Sequence, residues 1–508
     1  MAATVGSAVQ WWARTASDRA AIIVDEDVLT YRQFHEWSSR LARRLVDDGI
    51  KPGQRVGLLA PNSLLWPVAA MAILKTGAVI VPLNARLKAA ELRKISDDAG
   101  ISAMFVAPTL AAAAEDARTA GPDFEILDWN AVADERGGRP DDFRIDTALD
   151  DPIAIMFTSG STGLPKGIIL TNQTLLNIVL ERTLTEEGFC PATVSLMVLP
   201  LAFTPGMVYG VMMTSVLGGT LVIERELDGS RAVRVIEKHS VKTLFGVPLI
   251  FEAMAAAPEF AGADLSSLKT AIVGGAAVSP ELLQAWADKG VLLRQIYGMT
   301  EAGGVAIATT KSEALQHPES CGFGSVFTEV RVVNEDGSPA APGQTGELVV
   351  HGPGVTPGYW DDPATTAQAL RNGWLHSGDL GTSDEEGRVT FVDRIKDLII
   401  TGGINISPFE IETTIATLDG VAEVAVIAAK DPRFGETPAA IITTTTEGPD
   451  LNETAVVTHC EGQLASYKVP RYVVLRAQPL PRLPSGKIAK TTLRQQYKDI
   501  TDHCPRLR

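Results

Sequence analysis

The stretch "FTSGSTGLPKGIIL", Phe157 to Leu170, sets three glycines, two serines, two threonines and a lysine behind an apolar run. Bare amides and hydroxyls reach phosphate oxygens and an ammonium neutralises them, so this composition after a strand is that of a phosphate cradle. It is not a P-loop. That motif runs Gly-x-x-x-x-Gly-Lys-Ser/Thr, whereas Lys166 precedes Gly167 and no hydroxyl follows the lysine. The pair Gly486-Lys487 has Pro481 where the first glycine belongs and Ile488 where the hydroxyl belongs. A nucleotide held by this chain is held in another way.

The run "IAIMFTS" reads as a strand, which puts the loop at a strand's C-terminal end, where ligands bind in open α/β sheets. Farther upstream, Thr30 to Leu45 places Phe34, Trp37, Leu41 and Leu45 on one helical face, with Arg32, Arg40 and Arg43 elsewhere. Strand and helix then alternate through "RVGLLAPNS", "WPVAAMAILKTG", "AVIVPL", "ELRKISDDAG" and "SAMFVA". This alternation predicts an α/β domain with a largely parallel sheet. A charged, glycine-containing connection occupies Asp128 to Pro152.

At 508 residues the chain exceeds the size at which single cores stop growing, so two or more domains are expected. With 45% apolar and 21% charged residues it reads as a soluble globular enzyme. A net charge of −16 argues against nucleic acid and anionic membranes as bulk partners. Cys190, Cys321, Cys460 and Cys504 are scattered and fit neither a metal ladder nor a disulfide framework. The N-terminus has no basic region followed by an apolar core, so it is not a secretory signal, and a reducing cytoplasm is the expected compartment. The seven histidines show no His-Glu-x-x-His spacing, so no protein-ligated catalytic metal is assigned. Leu196 to Ile223 runs 28 residues without a charge, but its prolines and glycines break it into strand, turn and short helix. It reads as buried core, not as a transmembrane segment.

A second shift comes near residue 394. Ser407-Pro408-Phe409-Glu410 is a capping box with proline at the first helical position, predicting a helix to about Leu418 that ends at Gly420. The strands "VAEVAVIAA" and "AAIITTTT", a helix near "ETAVVTHCEGQLASY" and the strand "RYVVLR" follow. The expected organisation is a large domain over residues 1–394 and a small α+β domain over residues 395–508.

Five stretches occur in order: "TSGSTGLPKG" (158–167), "YGMTE" (297–301), "GWLHSGDL" (373–380), "DRIKDLIITGGINISPFEIE" (393–412) and "PRLPSGKI" (481–488). Together they resemble the adenylate-forming superfamily of acyl-CoA synthetases, luciferases and peptide-synthetase adenylation domains. The resemblance covers essentially the whole chain and is strongest to the fatty- or aryl-acid:CoA ligases. It implies a large N-terminal domain of parallel-rich sheets with flanking helices and a β-barrel-like portion, followed by a small mobile α+β domain. The implied reaction joins a carboxylate to the α-phosphate of ATP, releases pyrophosphate, and passes the acyl group to the thiol of coenzyme A.

By this resemblance Thr158, Ser159, Gly160, Ser161, Thr162 and Gly163 wrap the β- and γ-phosphates, with Lys166 nearby. Thr300 supplies a hydroxyl at the α-phosphate, and Glu301 holds Mg²⁺, for which a carboxylate is a suitable hard ligand. Asp379 accepts both ribose hydroxyls, and Arg394 also touches the ribose. Gly274, Gly275 and Ala276 lie against adenine, on which Tyr297 stacks beside Gly298. Lys487 bridges carboxylate and α-phosphate. Lys396 is the hinge of the small domain, and Gly402 and Gly403 line the pantetheine tunnel. Alone, Asp379 would read as a turn cap and Lys487 as a solvated lysine; the surrounding motifs give them these roles.

The chain departs from the pattern after "LPL". Phe203 takes the place of a histidine that many acyl-CoA synthetases carry, and Thr204 stands where amino-acid adenylation domains place an aspartate. A buried substrate ammonium would lack its partner there, so the expected substrate is an apolar carboxylic acid, whether fatty, aryl or alicyclic. Phe203, Tyr209, Val247, Gly298, Gly303 and Gly304 are the expected acyl-pocket residues, with the last two leaving room. A stand-alone enzyme that loads a carrier protein, a luciferase-like oxidative activity and a non-catalytic nucleotide-binding protein are the alternatives. The oligomeric state, a homo-oligomer included, is left open.

Overall fold

The computed structural model describes residues 3–119, 121, 123–159, 165–276, 278–401, 404–445, 451–483 and 487–507. The chain forms two compact units, one of residues 1–330 with 349–376 and one of residues 331–348 with 377–508.

In the first unit, helix Tyr31–Asp47 starts at Thr30, whose hydroxyl accepts from Gln33 N while the Gln33 side chain returns to the Thr30 amide. Phe34, Trp37, Leu41 and Leu45 are buried, as their spacing predicts. Two arginines of the opposite face are not simply solvated. Arg40 donates to the carbonyls of Glu135, Arg136 and Arg139, and Arg43 pairs with Asp141 at 2.6 Å. The charged connection is thereby laid along this helix.

One sheet has six strands in the order Glu125–Asp128, Ile101–Val106, Arg55–Leu59, Val79–Leu83, Pro152–Ser159, Pro165–Thr171. All neighbours are parallel except the last pair. Helices Leu65–Lys75 and Ala89–Ala99 supply the crossovers that parallel strands require. The final antiparallel pair is a hairpin in which Lys166, on the returning strand, lies opposite Thr158.

The other large sheet runs Ile307–Ala308, Leu293–Tyr297, Thr270–Gly274, Thr243–Gly246, Val194–Met197, Thr220–Ile223, Ala20–Val24, Asp27–Thr30, and is parallel except at its two ends. The uncharged stretch folds into strand Val194–Met197, a π-helical segment Pro205–Met213 and strand Thr220–Ile223, and is largely buried. No helix among the described residues is long and apolar enough to cross a membrane. A third sheet, of five strands, lies between residues 329 and 394, and three of these strands carry the chain from one unit to the other.

The second unit contains a five-stranded sheet in which Val421–Asp431 pairs antiparallel, and Tyr472–Arg476 parallel, with the central Gly435–Thr444. Helices Pro408–Ala416 and Glu453–Gln463 add Ile411, Ile415, Val456 and Cys460 to its core. The first of these helices starts as expected, with Ser407 Oγ accepting from Glu410 N. The box is not closed, because the Glu410 carboxylate pairs with Lys468. Asp393 replaces it, accepting from Ser407 Oγ at 2.6 Å and from Phe409 N at 3.0 Å. The helix ends at Ala416, before Gly420, whose φ of +92° turns the chain.

Lys75 is fully buried in the first unit. Its Nζ lies 3.0 Å from His35 Nδ1, 2.8 Å from His35 O and 2.8 Å from Ser39 Oγ, and His35 Nε2 lies 2.8 Å from Asp142. Burial pushes the His35 pKa down to about 4; Lys75 and Arg14 add to this and Asp142 opposes it. Because the folded pKa lies below that of a free histidine, the unfolded chain binds this proton more tightly. Folding stability therefore falls as pH drops from about 6.5 towards 4, by at most about 1.4 kcal/mol per pH unit from this group. Denaturant titrations at pH 7 and 5 are expected to show a smaller stability loss for His35→Gln than for the natural chain; equal losses would contradict this.

Candidate active site

Four neighbouring parallel strands of the larger sheet deliver the residues singled out from sequence. Gly274, Gly275 and Ala276 follow Thr270–Gly274; Tyr297, Thr300 and Glu301 follow Leu293–Tyr297; Val247 follows Thr243–Gly246; Phe203 lies beyond Val194–Met197. All are at or beyond the C-terminal ends of their strands, the edge at which open α/β sheets hold ligands.

After Tyr297, which is buried, the chain makes a tight loop to Val305. A Cβ at Gly298 would sit 1.7 Å from the Gly304 carbonyl oxygen, so only glycine permits this approach. Thr300 Oγ1 lies 2.8 Å from Thr204 Oγ1, which occupies the Thr204 hydroxyl with a protein partner. The Tyr209 hydroxyl donates to Gly303 O at 3.0 Å and accepts from Val305 N at 3.1 Å, tying the π-helical segment to the loop.

The expectation that Gly303 and Gly304 leave room for an acyl group needs correction. Their φ angles are +74° and +107°, and the space beside their Cα atoms is filled by Ile178 and by the Tyr209 ring respectively. These glycines serve backbone conformation and close packing. Tyr209 is itself buried, with its ring centroid 5.0 Å from that of Phe245. Phe203 and Val247 are half-buried.

The hairpin is joined to this loop through residues 354–360. Tyr359 pairs with Ile168 across an antiparallel bridge, and Trp360 N donates to Gly167 O at 2.7 Å. The Tyr359 phenol donates to Glu301 Oε1 at 3.0 Å, and the Lys166 ammonium lies 5.5 Å from the Tyr359 ring centroid. Met156, Ile168, Thr204, Thr300, Gly303 and Thr356 line one small recess, which brings hairpin and loop together. Thr158 is half-buried; Gly160, Ser161, Thr162 and Gly163, and the Ser159 side chain, lie outside the described residues.

In the second unit Asp379 and Arg394 face each other across an antiparallel strand pair, with Arg394 Nε 3.5 Å from Asp379 Oδ1. Asp379 is buried. Leu483 N donates to Lys487 O at 2.7 Å. Crowding by surrounding protein lowers the Lys487 pKa, Arg394 lowers it further and Asp379 opposes both, although the residue retains contact with solvent. Lys396 lies in the exposed short helix Ile395–Asp397, where desolvation and then Arg394 lower its pKa. Gly402 and Gly403 lie outside the described residues.

No cluster of three or more His, Cys, Asp or Glu side chains that could hold a metal is present among the described residues. A lone carboxylate such as Glu301 suits Mg²⁺, which keeps waters and phosphate oxygens as its other ligands. Sequence reasoning missed Tyr359 and Thr356, whose partners are distant in the chain. The signal available was Gly358-Tyr359-Trp360, a loop aromatic with a hydroxyl to satisfy.

This fold and these strand-end residues define an α/β enzyme that handles a nucleotide. Residues 9–360 match the sequence profile of the AMP-binding enzymes, and residues 410–487 match that of the AMP-binding enzyme C-terminal domain. The chain is similar to a feruloyl-CoA synthase of Amycolatopsis sp (36% identity, 96% of this chain and 97% of the other). It is also similar to a long-chain-fatty-acid–CoA ligase of Mycobacterium tuberculosis (34% identity, 92% and 93%). Among solved structures, ATP-bound MatB from Rhodopseudomonas palustris superposes with a TM-score of 0.86 at 29% identity, covering 97% of this chain and 99% of that one. The chain belongs to the AMP-binding, adenylate-forming enzyme family, and is closely related to its fatty- and aryl-acid:CoA ligases.

Tyr209→Phe leaves Gly303 O and Val305 N without the phenol. A loss of about 1–3 kcal/mol in stability is expected, together with slower pyrophosphate release, as the Thr300 loop loosens. Unchanged melting temperature and rate would show that the loop is held by other contacts.

Proposed function

We propose that this protein is an ATP-dependent acid:CoA ligase acting on an apolar carboxylic acid. A substrate carboxylate oxygen attacks the α-phosphorus of ATP, the bond to the bridging oxygen breaks, and pyrophosphate leaves. The CoA thiol then loses its proton and attacks the acyl carbonyl, giving the thioester and AMP. The family supports acid activation of this kind in general; the acid and the thiol acceptor are this proposal's own.

Thr158 to Gly163 and Lys166 hold the β- and γ-phosphates. The Thr300 hydroxyl, oriented by Thr204, donates to the α-phosphate. Asp379 accepts the ribose hydroxyls and Arg394 assists. Gly274 to Ala276 and Tyr297 bind adenine. Glu301 holds Mg²⁺, which when bound neutralises phosphate charge. Lys487 bridges the attacking carboxylate and the α-phosphate as a cation. Phe203 and Val247 are the side chains proposed to meet the acyl group, with Tyr209 and the glycines behind them. Residues 395–508 are proposed to act as the mobile domain, with Lys396 as its hinge and Gly402-Gly403 along the thiol's approach.

One observation carries the apolar substrate: Thr204, at the position where an ammonium partner would stand, spends its hydroxyl on Thr300. The relatives named for feruloyl and long-chain fatty acids agree with it. The test is a panel of fatty, aryl, alicyclic and α-amino acids in a pyrophosphate-release assay, with free CoA or a phosphopantetheinylated carrier as acceptor. Preference for an α-amino acid would overturn the substrate class, and a requirement for the carrier would overturn the acceptor.

Lys487→Ala is expected to slow adenylate formation more than a hundredfold, which corresponds to about 3 kcal/mol of lost transition-state stabilisation. Thioester formation from supplied acyl-adenylate is expected to remain within a few-fold of normal. Equal damage to both half-reactions would refute the role.

A further inference from the structure

Glu301 is at the start of a short loop and Lys166 is on a hairpin strand, more than a hundred residues earlier in sequence. One side chain touches both. The Tyr359 phenol donates to Glu301 Oε1 at 3.0 Å, and its ring face lies 5.5 Å from the Lys166 ammonium, within the range of a cation–π contact. The phenol can do this because its backbone is clamped. Ile169 N donates to Gly358 O at 3.1 Å and Trp360 N donates to Gly167 O at 2.7 Å, which makes residues 358–360 an added edge on the hairpin. Thr356 fixes the other side: its amide donates to Glu301 O at 2.8 Å, and its hydroxyl lies 2.8 Å from Ile169 O and 2.9 Å from Gly358 O.

We propose that Tyr359 is a positioning residue for the metal-holding carboxylate: its phenol sets the orientation of Glu301 while its ring seats Lys166, so that cation and ammonium are presented to one phosphate chain together. The inference rests on the assignment of Glu301 as the Mg²⁺ carboxylate. A carboxylate held by one oxygen cannot rotate freely, so the entropy of orienting it is already lost before the metal arrives.

The test uses the full chain and ATP affinity measured by calorimetry, once with Mg²⁺ in excess and once with chelator. The readout is the ratio of the two affinities within each variant, which a general loss of folded protein does not move. Glu301→Gln is expected to bring the ratio to that of a site without a metal carboxylate. Tyr359→Phe, which keeps the ring over Lys166, is expected to lower the ratio about tenfold while metal-free affinity stays within twofold. Adding Tyr359→Phe to Glu301→Gln should change the ratio no further. If Glu301→Gln lowers the ratio and Tyr359→Phe does not, or if Tyr359→Phe weakens both affinities by one factor, Tyr359 positions nothing and the inference falls alone. If Glu301→Gln leaves the ratio intact, the metal assignment of Glu301 falls, and with it the inference.

Discussion

A carboxylate and a triphosphate repel each other, and the chemistry proposed for this protein asks one to attack the other. At 4 Å each unit-charge pair costs roughly 4 kcal/mol at an effective dielectric near 20. The chain as a whole makes this worse, since its net charge is −16. Positive charge and oriented donors must therefore be supplied locally, and the placement of a few lysines, hydroxyls and the carboxylate proposed to hold Mg²⁺ is what the rest of the fold has to secure. Lys166 is held over an aromatic ring, and Thr300 is hydrogen-bonded to a second threonine.

The larger sheet secures that placement because successive crossovers return its inner strands in the same direction. Strand ends at Met197, Gly246, Gly274 and Tyr297 consequently lie along one edge, and the segments beyond Met197 and Tyr297 meet at Thr204 and Thr300. The approach of the Gly304 carbonyl then requires glycine at Gly298, positive φ and the neighbouring Ile178 and Tyr209 side chains favour it at Gly303 and Gly304, and Tyr209 locks the result from the buried π-helical segment. Hydrogen bonds in this region join segments distant in sequence, such as Tyr209 to Gly303 and Tyr359 to Glu301. The loop geometry therefore depends on the packed core behind it.

That dependence explains what could be read from sequence. The amphipathic helix from Tyr31, the alternating strands and helices, and the α+β character of the C-terminal part were legible, because periodicity and capping are local. Residues such as Asp379 and Lys487 stood out because each lies in a short motif that resembles one of the adenylate-forming superfamily. The pairing of Asp393 with Ser407 was hidden behind a capping box that looked complete, and Glu410 turned out to have a nearer cation in Lys468. Gly303 and Gly304 read as open space, since neither positive φ nor the approach of Ile178 and Tyr209 is written in the neighbouring residues. Tyr359 was missed for the same reason: its partners come from two other segments.

The proposed chemistry requires the carboxylate to attack the α-phosphorus. A substrate acid labelled with ¹⁸O in both carboxylate oxygens, turned over with ATP and CoA, tests this by mass spectrometry of the products. The predicted result is AMP carrying one ¹⁸O, transferred through the acyl-adenylate, with unlabelled pyrophosphate. Unlabelled AMP, or label in inorganic phosphate released with ADP, would contradict the mechanism.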